Sequence, residues 1–253
     1  MKFIRFQYNN QSPQRGWILD ERVGPVHGDI FGEFQRGEAT IPVASVQLLA
    51  PLRPGKIICV GRNYAAHAEE HGEEVPKIPL LFFKPPSAVI GPGQPVILPV
   101  QSQQVEHEAE LAVVIGRRGR FISTEDAVDY IFGYTIANDV TARDLQRSDS
   151  LWTRAKGFDT FCPLGPWIET DFDPADALIT CRVNGEMRQM ASSRDMVFTV
   201  RQLIAYTSSI MTLEPGDILL TGTPAGVGPL LPGDEVEVQI EGIGVLKNPV
   251  QSS

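Results

Sequence analysis

Short apolar runs, separated by turns rich in glycine and proline, limit the folds that this sequence can adopt. The 253 residues include 23 glycines and 20 prolines, so few segments are long enough to form an extended helix. The apolar runs have the length of β-strands. We expect strands at residues 56–60, 80–84, 96–98, 106–115, 133–138, 217–221 and 235–240. The sequence therefore predicts a mostly β domain of the α+β class with a mixed sheet.

A hairpin and a few helices complete the predicted elements. Asn184-Gly185 is a dipeptide typical of tight β-turns, so residues 179–184 and 185–190 are expected to pair as a hairpin. Gly72 favours the end of a helix at residues 64–72, and Ser123 or Thr124 can cap a helix at residues 123–130. A third helix is expected at residues 197–211. The last of these is the longest helix that the sequence predicts.

One segment has the composition of a domain boundary. Residues 51–55 carry two prolines and a glycine, which favour a connector over a helix or strand. We therefore expect a small β-rich region over residues 1–50 and a larger domain over residues 51–253. The sequence contains no internal repeat and no low-complexity segment.

The charge balance and the motifs that the sequence lacks exclude several functional classes. The 31 acidic residues outnumber the 22 Lys and Arg residues and give a net charge of −9, which disfavours binding to nucleic acid or to an anionic membrane surface. No apolar run reaches about 18 residues, so no membrane-spanning helix is expected. The motifs G-x-S-x-G, H-E-x-x-H and C-x-x-C do not occur, which argues against a serine hydrolase, a zinc protease and a thiol redox protein.

The cysteines and the N-terminal segment favour a cytoplasmic protein. Cys59, Cys162 and Cys181 are isolated from one another in apolar surroundings, a pattern typical of reduced thiols in a core. The sequence turns polar after its first six residues and has no apolar segment typical of a signal peptide.

A strand rich in carboxylates is the first candidate site. Side chains alternate along a strand, so Glu106, Glu108 and Glu110 are expected to share one face, with His107 on the other. Three acids on a strand that continues into an apolar run would repel one another and lose hydration. A hard divalent cation would relieve that repulsion, because Mg²⁺, Mn²⁺ and Ca²⁺ prefer carboxylate oxygens. The alternative is a solvated strand face.

Asp139 is a candidate third ligand. It follows an apolar strand, at residues 134–137, and therefore lies where a carboxylate can complete a site. The alternative is that Asp139 or Thr141 caps the next turn.

A polar helix carries a candidate general base. His67 and Glu70 lie three residues apart and are neighbours on a helix. A carboxylate beside an imidazole fixes its tautomer and raises its basicity, as is needed to take a proton from water. The alternative is an exposed polar helix without a catalytic role. The polarity of this segment and its flanking glycines also suit a mobile lid.

Other polar residues have two interpretations each. Lys156 is either a site residue or a surface lysine, and Arg143 could simply pair with Asp144. The loop at residues 221–229 lacks the Gly-Lys-Ser/Thr ending of a phosphate-binding loop. We expect its backbone amides and Thr223 to approach a substrate carboxylate instead.

Several motifs together resemble the fumarylacetoacetate hydrolase family, in particular its small type, which includes acylpyruvate hydrolases and oxaloacetate decarboxylases. They occur in family order and cover about residues 55–240. The matching segments are VGRNYAAH (60–67), LFFKP (81–85), HEAELAVVIG (107–116), NDVTARDLQ (138–146), WTRAKGFDTFCPLGPW (152–167), VNGEMRQ (183–189) and LEPGDILLTGTPAGVGP (213–229).

The resemblance implies a fold, a cofactor and roles for individual residues. The implied fold is a mixed β-sandwich roll in a homodimer, with Mg²⁺ or Mn²⁺ held by Glu108, Glu110 and Asp139. His67 and Glu70 are the implied water-activating pair. The remaining implied site residues are Lys156 near the metal, Lys84, Arg143, Gln146 and Thr223 near the substrate, and Arg62 as a further candidate. Residues 147–151 are shorter than the lysine-rich insert of some acylpyruvate hydrolases, and Glu106 is not assigned as a ligand.

The implied reaction is hydrolysis of a carbon–carbon bond in a 2,4-dioxo acid, such as an acylpyruvate or fumarylpyruvate, through a metal-bound pyruvate enolate. Decarboxylation of oxaloacetate and isomerisation of a 2-hydroxyhepta-2,4-diene-1,7-dioate-type substrate pass through the same enolate, so the family fold does not choose among them. His67 and Glu70 favour hydrolysis. An alternative of another class is a metal-dependent carboxylate binder without catalytic activity.

Overall fold

A computed structural model of the chain describes residues 1–9 and 11–253. Within them the chain is mostly β. The strands are β1 (Lys2–Gln7), β2 (Gln14–Leu19), β3 (Arg22–Gly28), β4 (Phe34–Arg36), β5 (Ile41–Pro42), β6 (Gln47–Leu49), β7 (Ile57–Gly61), β8 (Leu80–Lys84), β9 (Val89–Ile90), β10 (Val96–Leu98), β11 (Val105–His107), β12 (Ala109–Ile115), β13 (Ile131–Asn138), β14 (Thr141–Ala142), β15 (Cys162–Glu169), β16 (Leu178–Val183), β17 (Glu186–Ser192), β18 (Ile218–Leu220), β19 (Gly228–Pro229), β20 (Glu235–Ile240) and β21 (Gly244–Ser252). The helices are α1 (Ala65–Glu70), α2 (Arg143–Ser148), α3 (Thr153–Lys156) and α4 (Val200–Ile210).

The strands form one large mixed sheet and two smaller sheets. The main path of the large sheet has the order β4-β3-β2-β1-β15-β13-β12-β18-β7-β8. Most of its pairs are antiparallel, and β18 and β7 are parallel. A second sheet has the order β10-β21-β20-β16-β17, and the short strands β14, β11 and β19 form a third. The predicted α+β, mostly β class with a mixed sheet is confirmed.

Strand β12 lies at the centre of the core and is buried on both faces. Leu111, Val113 and Ile115 pack with apolar side chains of the second sheet. Ala112 and Val114 point the other way, into a separate cluster. A strand buried on both sides must be apolar at successive positions, which is why residues 111–115 carry no polar side chain.

The predicted hairpin and two of the predicted helices are present. β16 and β17 pair across Asn184-Gly185, where both residues have positive φ, as a two-residue turn requires. Helix α4 begins after Thr199, whose side chain accepts a hydrogen bond from the backbone of Gln202 in a capping box. The helix predicted at residues 64–72 is the shorter α1. At residues 123–130 the structure has a 3₁₀ segment, Asp126–Tyr130, where we predicted a helix.

The strand predicted over residues 106–115 is not continuous. β11 ends at His107 and β12 begins at Ala109, so the two halves belong to different sheets. The backbone N–H of Glu108 donates to Asn138 Oδ1, and that of Ala109 donates to Gln189 Oε1. These side-chain acceptors replace the ladder partners of a regular strand, so the chain breaks where the acidic residues lie.

Two long strands were missed for a physical reason. β15 contains two prolines and a glycine and nevertheless lies between β1 and β13, although proline is usually restricted to sheet edges. β21 mixes polar residues with Pro249, so its periodicity is weak.

The first 50 residues continue the main sheet through β1 and β15, with Lys2 opposite Glu169. The domain division at residue 51 stays a prediction. The three cysteines are buried and unpaired. In residues 1–9 and 11–253, no helix is long and apolar enough to cross a membrane.

Candidate metal centre and active-site cavity

A cavity of about 320 Å³ collects most of the predicted site residues. Those that line it are Arg62, His67, Glu108, Glu110, Arg143, Gln146, Lys156 and Thr223. Glu70, Lys84 and Asp139 are not part of this lining, but each lies within 4 Å of another predicted site residue. Residues from six separate sequence segments therefore meet at one place.

The pairing of β12 with β13 brings the three predicted metal ligands together. Ala109 lies opposite Asn138 in the antiparallel register. The next residue, Asp139, donates its backbone N–H to Glu108 O at 2.9 Å. One carboxylate oxygen from each of Glu108, Glu110 and Asp139 lies within 4.8 Å of the others. The three side chains are thus close enough to share one cation.

Buried cations surround two of these carboxylates. Lys156 Nζ donates to Glu108 Oε2 and to Asp139 Oδ2, at 2.8 Å in each case. Lys84 Nζ donates to Asp139 Oδ1 at 2.5 Å. Burial by itself would raise the pKa of Glu108, but Lys156 and Arg143 hold that pKa well below its usual range. Burial by itself would lower the pKa of Lys156. The charges of Asp139 and Glu108 have a larger effect, so the pKa is raised.

Glu110 is the exception, because no Lys or Arg in the described part of the chain forms an ion pair with it. Its Oε2 accepts a hydrogen bond from the backbone N–H of Gly222 at 2.7 Å. Burial, followed by the charges of Asp139 and Glu108, raises its pKa well above the ordinary value. Gly222 has φ +94°, and a Cβ there would lie 2.7 Å from Asn63 Cβ, so only glycine fits this position.

The donor set fits a hard divalent cation. It consists of carboxylate oxygens, and one of these buried carboxylates, Glu110, has no cationic partner among the described residues. Mg²⁺ and Mn²⁺ prefer such oxygen ligands, and a bound cation would offset the repulsion that disfavours ionised Glu110.

Arg143 organises the side of the site opposite Glu110. Its Nε donates to Glu106 Oε2 at 2.7 Å, and its Nη2 donates to Glu108 Oε1 at 2.6 Å. Its Nη1 donates to Gln146 Oε1. Asp144 instead accepts from Ser102 Oγ and Gln103 N, so the Arg143–Asp144 pair considered from the sequence does not form. Glu106 is a buried partner of Arg143.

Helix α1 presents His67 to the cavity. The side chain is 9% exposed, and its Nδ1 lies 3.6 Å from Glu70 Oε2. Burial is the largest influence on the His67 pKa and lowers it. Both carboxylate oxygens of Glu70 accept from the backbone N–H of Gly226, at 3.1 and 3.2 Å, so Glu70 joins α1 to the loop that carries Thr223.

Arg62 lines the cavity, and its backbone lies in the left-handed region, with φ +57°. Its Nη2 is 2.8 Å from Glu73 Oε1, just beyond α1. This ion pair is a second link between the cavity wall and the segment that carries His67.

Gln189 is a site residue that the sequence analysis missed. Its Nε2 donates to Thr223 Oγ1 and to Pro224 O, both at 2.8 Å. Its Oε1 accepts from Ala109 N and lies 3.0 Å from His107 Nδ1. Gln189 follows several polar residues on β17, so only the tertiary structure distinguishes it from a surface glutamine.

The comparisons with known proteins decide the family. Residues 56–251 match the model of the fumarylacetoacetate (FAA) hydrolase C-terminal domain. The chain belongs to the fumarylacetoacetate hydrolase family. Residues 1–51 match a separate model, described as Rv2993c-like, N-terminal.

Relatives within the family differ in the reaction that their names state. The chain is 48% identical to the mitochondrial oxaloacetate tautomerase FAHD2B of Bos taurus over 287 aligned positions, which cover 99% of this chain and 91% of the relative. It is similar in structure to 2-hydroxyhepta-2,4-diene-1,7-dioate isomerase from Mycobacterium marinum, with a TM-score of 0.93, 44% identity and coverage of 100% and 99% of the two chains.

A third comparison concerns a hydrolase with bound metal. Maleylpyruvate hydrolase from Sphingobium sp. SYK-6, solved with manganese(II) and pyruvate, has a TM-score of 0.83 and 33% identity, with both chains covered completely. These structures confirm the family fold expected from the resemblance. The family includes hydrolases, isomerases and tautomerases that act on small organic acids, so membership alone does not determine the reaction of this chain.

Proposed function

We propose that this protein is a divalent-metal-dependent hydrolase that cleaves a carbon–carbon bond in 2,4-dioxo acids of the acylpyruvate or fumarylpyruvate type. The observation that carries this proposal is the buried imidazole of His67, which shares one cavity with Glu108, Glu110 and Lys156. The carboxylate of Asp139 lies beside those of the two glutamates. Hydrolysis needs a base for water, and a decarboxylase does not.

Glu108, Glu110 and Asp139 would hold Mg²⁺ or Mn²⁺. Support comes from the oxygen-only donor set and from the manganese(II) described in the maleylpyruvate hydrolase. A divalent cation bound there would supply a Lewis acid and a template for the carboxylate and 2-oxo oxygens of the substrate.

His67 and Glu70 would move the proton. Burial lowers the pKa of His67, so the ring is neutral and can accept a proton at neutral pH. Nδ1 faces Glu70 Oε2, which leaves Nε2 to take a proton from water. The carboxylate of Glu70 then stabilises the imidazolium, and its bond to Gly226 fixes its position.

The cationic side chains would stabilise negative charge that develops on the pyruvate half of the substrate. Lys156 is buried, and its raised pKa keeps it protonated beside the acids. Its ammonium is fixed by two carboxylates before substrate arrives, so it needs little reorganisation. Arg143, Gln146 and Thr223 would bind the substrate from the cavity wall, as would Arg62.

Lys84 would support this arrangement from behind. It is buried, and it reaches Asp139 and the carbonyl of Val140. Its position favours a role in holding Asp139 rather than in contacting substrate directly.

Tautomerisation or isomerisation is the second candidate function. Two similar proteins are described as an oxaloacetate tautomerase and a dienedioate isomerase. His67 could transfer a proton between carbon and oxygen in such a reaction, and oxaloacetate decarboxylation would use the same enolate-stabilising cations. The remaining alternative is a protein that binds carboxylates without turnover. Such a protein would not need a residue placed like His67 to accept a proton, so this alternative is less well supported.

The test combines a substrate panel with the variant His67→Ala. We expect the wild-type protein to cleave acylpyruvates with Mg²⁺ or Mn²⁺ and to lose this activity in EDTA. His67→Ala should reduce hydrolysis by about 10²- to 10⁴-fold while keeping metal binding. The exposed His27 gives the matched control His27→Ala, which should retain full activity.

Three outcomes would contradict the proposal. Full hydrolytic activity in His67→Ala would remove its assigned role. Carbon dioxide release from oxaloacetate without cleavage of any acylpyruvate would favour the decarboxylase, and conversion of only a dienedioate or an oxaloacetate tautomer would favour the second candidate.

We also propose a cytoplasmic location and a homodimer, with a small 2-oxo or 2,4-dioxo acid as the binding partner. The family resemblance supports the dimer, and the isolated cysteines support the location. Size-exclusion chromatography with light scattering would test the dimer.

A further inference from the structure

Helix α1 and the residue that caps its C-terminus, His71, carry a group of three possible metal ligands that is separate from the acidic triad. His67, Glu70 and His71 occupy positions i, i+3 and i+4, which lie on one face of a helix. One ligand atom from each lies within 4.8 Å of the others. His67 Nδ1 and His71 Nε2 are both buried and have no hydrogen-bond partner. Buried polar atoms are nearly always paired, so these two imidazole nitrogens are available to bind a metal ion.

The distances suit a bridging cation better than a direct hydrogen bond. His67 Nδ1 and Glu70 Oε2 are 3.6 Å apart, which is too long for a good hydrogen bond. Two ligands of a tetrahedral zinc ion, each about 2.0–2.2 Å from the metal, are roughly 3.4 Å apart. The bond from Gly226 N–H holds Glu70 in place, and the two imidazole rings lie edge to face at 4.7 Å.

We propose that His67, Glu70 and His71 form a second metal site, specific for a borderline transition metal such as Zn²⁺, and that zinc bound there inhibits the enzyme. The two sites differ in chemistry: imidazole nitrogens suit zinc, whereas the triad of carboxylates suits Mg²⁺ or Mn²⁺.

The inhibition follows from the chemistry of the imidazole. A metal bound at His67 Nδ1 uses that lone pair and leaves the proton on Nε2. The ring then has no free lone pair with which to accept a proton from water. This consequence rests on the hydrolytic function proposed above, whereas zinc binding itself does not.

The nearby positive charges are already paired. Arg143 is bound by Glu106 and Glu108, and Arg62 is bound by Glu73. Because carboxylates offset the charges of both arginines, their electrostatic repulsion does not exclude a cation from the site formed by His67, Glu70 and His71.

The direct test is crystallographic and needs no substrate. Crystals of the full-length protein, grown with saturating Mg²⁺, are soaked in ZnCl₂, and anomalous maps are measured on both sides of the zinc absorption edge. We expect a zinc peak bonded to His67, Glu70 and His71. No zinc peak, or zinc only among the carboxylates of the triad, would overturn the proposal even if hydrolysis is confirmed.

The second test uses His71→Ala, because His71 has no part in the proposed hydrolysis. At saturating Mg²⁺, we expect the half-inhibitory Zn²⁺ concentration to rise on the order of ten- to a hundredfold, with activity in the absence of zinc unchanged. His27→Ala, which removes an exposed histidine, should be inhibited like the wild type. Equal zinc inhibition of His71→Ala and wild type would refute the inhibitory site. If the protein does not hydrolyse acylpyruvates, calorimetric Zn²⁺ titration of the same three proteins still tests binding.

Discussion

Glu110 gives the sharpest test of the metal centre, because its replacement should have opposite effects with and without metal. Glu110→Gln removes a buried carboxylate that has no cationic partner and whose pKa is raised by burial, Asp139 and Glu108. Because the pKa of Glu110 is higher in the folded state than in the unfolded chain, the carboxyl group ionises more readily in the unfolded chain. The native state therefore loses stability as the pH rises above the pKa of the unfolded chain. The neutral amide avoids that destabilisation and can still accept the hydrogen bond from Gly222.

The magnitude follows from ligand linkage. Mg²⁺ at a hundred times its Kd stabilises the native state by about 2.7 kcal/mol. A protein of this size shifts its Tm by about 2–4 °C per kcal/mol, so the wild type should gain roughly 5–11 °C. Without metal, Glu110→Gln should melt at the same temperature as the wild type or higher. With Mg²⁺ it should gain nothing.

The assay is thermal unfolding in EDTA and across a Mg²⁺ titration. The exposed Glu125 offers the control Glu125→Gln, which should keep the full metal-dependent gain. A normal Mg²⁺ gain in Glu110→Gln would show that Glu110 is not a ligand. A large loss of stability in EDTA would show instead that its carboxylate is needed by the fold itself.

Three further predictions concern the surroundings of the triad. Burial lowers the pKa of His67 from 6.5, so its ring stays neutral as the pH falls through 6.5. The acid limb of the pH profile of kcat/KM should therefore lie below pH 6.5, and an acid limb above that value would contradict the argument. Lys84→Met leaves buried Asp139 with one cation fewer and should lower the free energy of unfolding by about 3–5 kcal/mol in denaturant titrations; a loss under about 1 kcal/mol would refute the assigned role. Gln189→Leu removes the amide that holds Thr223 and should destabilise the fold by about 1–3 kcal/mol and raise KM, so an unchanged KM in steady-state kinetics would argue against this role.

The local elements show where sequence reasoning worked. The Asn184-Gly185 turn and helix α4 depend on residues that are close together along the chain, and both were predicted from them. Strand β15 was not predicted, because its prolines lower the local strand propensity. Its neighbours β1 and β13 supply the pairing that overrides that propensity.

The break at Glu108 illustrates the same limit within the site. The alternation of three glutamates predicted one continuous strand, and two of them, Glu108 and Glu110, do lie close together, beside Asp139. The interruption depends on side chains of Asn138 and Gln189, which are 30 and 80 residues away from the N–H groups that they bind. Such acceptors leave no signal in the local pattern.

The sequence by itself determined the fold class, the family resemblance and the chemical types of the candidate residues, because these depend on composition, periodicity and motifs along the chain. Only the tertiary structure decided that Glu110 lacks a cationic partner, that Arg143 binds Glu106 and Glu108, and that Gln189 supports Thr223. The physical reason is that pairing and burial are properties of distances between segments far apart in the chain. The register of β12 against β13 sets those distances in the acidic triad, and a one-residue shift in that register would separate its carboxylates.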